Sequence, residues 1–228
     1  MKRHIDEELD KLKEKILQMG SVAEEMVRLS AKMIVDRQDD VSDHIFANEE
    51  VVNRLQMEID EMGVRILALY QPEAMDLRNI MAALKINSDL ERIADQAINI
   101  TQTAHFHFLK EAPVQTMEIP QMAVIAQKMI KDCLDAYSQK DVNLAQSVLG
   151  SDAEEDNLKQ KAMNEIIHLI QASPEKSKQF IDLLLVAKNF EKIGDHATNI
   201  AEDVIFMVLG KDIRHHARDS VNISKPNE

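Results

Sequence analysis

Apolar residues recur every three or four positions almost from the first residue: Ile5, Leu9, Leu12, Ile16, Met19, Val22, Met26, Leu29 and Met33. On an α-helix that spacing gathers side chains on one face, so it predicts a long amphipathic helix. The polar run Asp36–Arg37–Gln38–Asp39–Asp40 interrupts it as a turn. A second helix carries Val41, Ile45, Val52, Leu55, Ile59, Met62, Ile66 and Leu69, and stops at Pro72, which cannot continue a helix. A third begins around Ala74 to Asp76, carries Leu77, Ile80, Leu84, Leu90, Ile93, Ala97 and Ile100, and fades into His105–Phe106–His107–Phe108. Pro113 and Pro120 bracket a linker over 112–119, and the pattern then restarts. Helix four holds Met122, Ile125, Met129 and Leu134. Helix five runs from Val142 to Ile170. Helix six runs from about Glu175 to Leu209, with Ser173–Pro174 as its expected cap and Gly210 as its stop.

Each half therefore reads as helix, polar turn, helix, proline turn, long helix. The halves also align residue by residue: Ala23 to Val27 matches Ala126 to Ile130, Leu55 falls opposite Leu158, and Asp40–Val41 sits near Asp141–Val142. The expected architecture is all-α, two tandem three-helix bundles related by an internal pseudo-two-fold. The expected units are 1–111, a linker at 112–119, a second repeat at 120–210 and a polar tail at 211–228. Helices of about thirty residues are about 45 Å long, so the molecule should be elongated.

Composition narrows the functional classes. Five Gly and five Pro in 228 residues are too few for a turn-rich sheet protein, and 13 Met with no Trp fit helix-on-helix packing. The formal net charge of −13 disfavours nucleic acid and bare anionic membrane, and favours cations or basic protein surfaces. A single cysteine, Cys133, permits no intramolecular disulfide and no cysteine-rich zinc site, and reads as a buried hydrophobe. The N-terminus has no apolar stretch after its basic residues, and no segment is long and apolar enough to span a bilayer, so the expected location is the cytoplasm.

Against this background one string occurs twice. Glu91-Arg-Ile-Ala-Asp95-Gln-Ala-Ile-Asn99-Ile100 is echoed one hundred positions later by Glu191-Lys-Ile-Gly-Asp195-His-Ala-Thr-Asn199-Ile200. Both copies put acid, acid and amide at i, i+4 and i+8, a ridge on which like charges repel by a few tenths of a kcal/mol. Carboxylate and amide oxygens suit hard cations, and a second helix must complete any shell. Glu49 and Asn53 on helix two, with repeat equivalents Asp152 and Asp156 on helix five, are the candidates. Asp203 extends the second ridge where the first has Thr103, and His196 adds a nitrogen. A solvated face with Arg92 and Lys192 as counterions explains the same residues.

Other motifs carry less. Glu165-Ile-Ile-His168 has one ExxH element of a ferritin-like di-iron site but no second copy. His105 and His107, two apart, point to different sides of a helix. The basic stretch Lys211 to His216 reads as a fraying end. No Gly-rich phosphate loop, Gly-x-Ser-x-Gly or HExxH string is present, and no nucleophile is arranged with a base, so an enzyme is not expected.

Leu90 to Ile100 and Phe190 to Asp203, with the opening segment around His4, Asp6 and Leu9 and the closing Gly210-Lys-Asp-Ile-Arg-His215, resemble the PhoU family over essentially the whole chain. The resemblance implies two tandem three-helix bundles. It implies divalent metal or iron (Fe, Zn, Mn or Mg) on paired acidic motifs: Glu91 with Asp95, Glu191 with Asp195, and the partners Glu49 with Asn53 and Asp152 with Asp156. Repeat one departs from the family pattern at Asn53, Ala94 and Gln96. The implied role is negative regulation of the phosphate-starvation response, coupling the transporter ATPase (PstB-like) to a sensor histidine kinase (PhoR-like). The expected form is a homodimer that meets the membrane only through partners. A carboxylate-bridged metal enzyme or metal-storage bundle is the alternative, and a helical scaffold that binds no metal is a third class.

Overall fold

The computed structural model of the chain describes residues 3–106, 109 and 118–214. The described residues form six long helices and no strand: α1 (His4–Val35), α2 (Ser42–Tyr70), α3 (Ala74–Phe106), α4 (Glu118–Gln139), α5 (Val142–Ala172) and α6 (Ser177–Leu209). All six follow the apolar periodicity, and the differences lie at the ends. Helix α4 starts at Glu118, inside the expected linker, because Pro120 in a first turn has no intrahelical N–H to lose. Before α6, Pro174–Lys176 form a separate 3₁₀ turn, so α6 itself starts at Ser177. Ser173 does not cap that turn with its side chain; its backbone N–H instead donates to Leu169 and closes α5. Gly210 ends α6 in the left-handed region with φ 67°, as expected of a C-terminal glycine. His107, Phe108 and the tail from His215 onward lie outside the described residues.

Helices α1, α2 and α3 pack on one another, as do α4, α5 and α6. The two bundles are not strung end to end. They join broadly through α3 against α6 and through α1 against α4. Gly20 lets α1 approach α4: a Cβ there would lie 2.5 Å from a methyl of Leu134. The core is continuous across the join, with Leu12, Ile16, Met19, Ile86, Leu90 and Phe190 all fully buried. Each such side chain contributes roughly 1.5–3 kcal/mol of burial.

Helices α3 and α6 run antiparallel. Lys85 reaches Asp203, Asp89 reaches His196 and Asn199, and Asn99 shares a groove with Asn189. Adding or subtracting one hundred maps the pair Asp89·Asn199 onto Asn189·Asn99. The crossing is thus the internal pseudo-two-fold made visible, and it sets the two acidic strings on the central pair of rods.

Candidate functional site

In the first repeat, Glu49 projects from α2 towards α3. Its carboxyl is held above the ordinary range, first by burial and then by the negative charges of Asp95 and Glu50. Glu91 is raised for the same reasons, burial first and Asp95 second, with Arg92 partly offsetting. The Arg92 guanidinium sits 3.6 Å from both Glu91 and Asp95 and acts as their local counterion. Asn53 is exposed. Asn99 is exposed too and lines a groove on the α6 side, away from the acids.

The second repeat is built differently. Lys159 of α5 donates to Glu191 of α6 at 2.6 Å and approaches Asp156 at 3.4 Å. Asp195 is raised by burial, then by Glu191, Asp152 and Asp156. At the centre lies a residue that sequence reasoning missed. Glu155 is 2% exposed, and its Oε1 has no hydrogen-bond partner. Burial, followed by the charges of Asp195, Asp152, Glu191 and Asp156, pushes its carboxyl up to about 9, so it is neutral at physiological pH. It fits because position 194 is glycine: any Cβ there would collide with the Glu155 carboxylate. The repeat equivalents are Val52 and Ala94, an ordinary buried apolar pair. An acid at a buried position of a helix, opposite a glycine, was the available signal, visible only by comparing the repeats.

Asn199 and Asp203 do not join this cluster. Each four-residue step along an α-helix advances about 40° beyond a full turn, so a ridge facing α5 at Glu191 has turned towards α3 by Asn199. Accordingly Asn199 donates to Asp89 at 3.1 Å, and His196 Nδ1 lies 2.9 Å from the same oxygen. Asp203 is 5% exposed and accepts from Lys85 at 2.7 Å. Burial raises the Asp203 carboxyl, and Lys85 works against that rise. Residues 199 and 203 thus secure the α3–α6 crossing.

The donor set of the second repeat, five carboxylates with one orphaned buried oxygen, suits a hard cation by its chemistry. The positions are not drawn together for one: among the described residues no group of three or more His, Cys, Asp or Glu side chains is arranged to hold a metal ion. Cys133 is buried with Sγ directed at the Ile130 carbonyl, and burial raises its thiol. His105 pairs with Asp39 at 2.6 Å, Arg214 pairs with Asp212, and His168 is exposed. Among the described residues no helix is long and apolar enough to cross a membrane.

Comparison with known proteins accounts for the same architecture. The PhoU domain matches twice, over residues 16–104 and 119–204. A relative from Caulobacter vibrioides, described as a phosphate-specific transport system accessory protein PhoU homolog, is 38% identical over 210 residues, covering 91% of this chain and 90% of the relative. A Pseudomonas aeruginosa relative of the same description is 33% identical over 209 residues, 91% of this chain and 86% of its own. The crystal structure of PhoU from Pseudomonas aeruginosa superposes with a TM-score of 0.88 at 31% identity, covering 91% of this chain and all of that one. A Streptococcus pneumoniae PhoU structure has the same fold, with a TM-score of 0.85 at 24% identity. With two matched domains, relatives aligned over nine-tenths of its length and a shared six-helix architecture, the chain belongs to the PhoU family.

Proposed function

We propose that this chain is a non-enzymatic accessory protein of phosphate-specific transport. In this reading it restrains uptake and the phosphate-starvation response by linking the transporter's ATPase to a sensor histidine kinase. The observation that carries the reading is the alignment over nine-tenths of the chain with relatives described as accessory proteins of that system. The physical chemistry agrees. Rigid helices joined along a broad internal face hold a fixed surface, and a net charge of −13 suits basic patches on partner proteins. The protein acts in the cytoplasm as a homodimer and meets the membrane only through its partners. The test is capture of the purified ATPase subunit and kinase cytoplasmic region by the native protein, with light scattering to fix the oligomeric mass. Retention of neither partner overturns the reading.

A second reading, cation binding at the acidic helix pairs, is favoured by one observation, the orphaned Glu155 oxygen among four further carboxylates. The residues that would hold an iron or other divalent ion are Asp152, Glu155, Asp156, Glu191 and Asp195. The ion would supply the positive charge that Lys159 now provides. Metal content of the purified protein should fall in Glu191→Ala/Asp195→Ala while its helical content is unchanged. Equal stoichiometric metal in that variant excludes the site.

A further inference from the structure

One pocket lies where the two bundles meet, and each bundle supplies part of its wall. It measures about 130 Å³ and is lined by Leu12 and Lys13 of α1, Asn79 of α3, Tyr137 of α4 and Met207 of α6. Lys140, just past the end of α4, completes the rim. The enclosed part is apolar, with Leu12 2% exposed and Met207 3%. Tyr137 is 5% exposed, and among the described residues its hydroxyl makes no hydrogen bond. A buried phenol ordinarily finds a partner, because an unpaired O–H removed from water is costly.

Packing does not account for that hydroxyl. The repeat alignment that sets Met26 opposite Met129 sets Ile34 opposite Tyr137 and Arg37 opposite Lys140. The backbone keeps the same register: Arg37 and Lys140 both take the left-handed conformation just after their helix, at φ 54° and φ 55°. Ile34, 7% exposed, is buried in the first repeat without any polar side-chain atom. The second repeat carries a donor at that place, beside a pocket. Burial raises the Tyr137 phenol, so it stays protonated and can donate. Lys13 gives one N–H to the Ser138 carbonyl at 2.7 Å, which holds its ammonium at the pocket and leaves two N–H groups. The side chain of Lys140 is exposed and makes no hydrogen bond or ion pair among the described residues. Asp10 also stands at the rim, so two positive charges face one negative charge, on a chain whose net charge is −13.

We infer that this pocket binds a short-chain carboxylate, its anionic head on the Tyr137 hydroxyl and the lysine ammonium groups and its alkyl tail against Leu12 and Met207. The volume holds several waters or an anion of a few carbons, and is too small for a nucleotide. Hydrogen bonds to an ionised acceptor are the strong ones, and the donors here outnumber the acceptors. An inorganic oxyanion would use the donors and leave the apolar wall uncovered. The bound acid would touch α1 and α3 of one bundle and α4 and α6 of the other. The inference does not depend on the adaptor reading.

The chain has two tyrosines, which makes the test direct. In protein with ¹³C-labelled tyrosine rings, sodium butyrate should shift the Tyr137 signals saturably at constant ionic strength. The signals of Tyr70, at the end of α2, should not move. Tyr137→Phe removes only the oxygen, and Lys140→Gln changes an exposed side chain. Each should weaken butyrate binding about tenfold, read by saturation transfer to the butyrate methyl group, with the melting curve of the free protein unchanged. Absence of a saturable Tyr137 shift overturns the inference and leaves the pocket to water. An equal shift with n-butanol overturns the anionic class. A shift with sodium phosphate but not with butyrate overturns the carboxylate. Equal butyrate binding by the native protein and both variants places the acid elsewhere and overturns the site.

Discussion

Glu155 is the residue on which the second repeat turns. Its carboxyl titrates near 9, against about 4.5 when unperturbed. The folded state therefore keeps a proton that the unfolded chain releases, and the sign follows. Stability from this group is fully present below about pH 4.5, declines as pH rises towards 9, and is level above. The slope is at most about 1.4 kcal/mol per pH unit. Asp195, also raised, adds in the same direction. Urea unfolding at pH 5.5 and 8.5 should show the protein less stable at the higher pH, and Glu155→Gln should remove most of the difference. Gly194 carries a companion prediction. Gly194→Ala should cost about 1–3 kcal/mol through collision with Glu155. Adding Glu155→Val should recover most of that loss, because Val and Ala are the buried residues that stand at the equivalent positions 52 and 94 of repeat one. This coupling was present in the sequence only as a mismatch between the repeats. The doubled acidic string could be read directly, because its spacing is local. The identity of the buried acid could not, because its burial depends on which face of α5 meets α6.

At the scale of the element, the helices were legible because their apolar residues keep a 3.6-residue period over many turns, and the breaks at Pro72 and Gly210 follow from backbone chemistry. Less could be read of what a ridge does along its length. The positions Glu191, Asp195, Asn199 and Asp203 look equivalent in sequence, yet the rotation of about 40° per step hands the first two to α5 and the last two to α3. Asp203 is consequently a structural residue, and its variants should behave as such. Lys85→Leu leaves a buried carboxyl without its cation and should destabilise by about 2–3 kcal/mol in thermal or urea unfolding. The double change Lys85→Leu/Asp203→Thr reproduces the neutral combination found at positions 185 and 103, and should return most of that loss.

For the whole molecule, the tandem repeat was legible because two strings of one spacing recur with matching flanks. Their mutual orientation was not. Nothing in a one-dimensional pattern states that α3 and α6 lie side by side and antiparallel, because Asp89, the acid that bridges them, looks like any other charge on a helix face. The broad contact predicts cooperative behaviour. Unfolding followed by circular dichroism and by probes placed in each half should give coincident transitions, with no folded half surviving the loss of the other. A chain cut in the segment between the repeats should stay associated in native buffer, since the α1–α4 and α3–α6 faces hold it. The crossing itself has a broader meaning. Two identical rods meeting about a dyad would be obliged to change in pairs, every edit appearing at both ends. Covalent tandem linkage lifts that obligation, so that one end could be tied with lysine and aspartate while leucine and threonine stand at the other. A body assembled from one template thereby gains a front and a back.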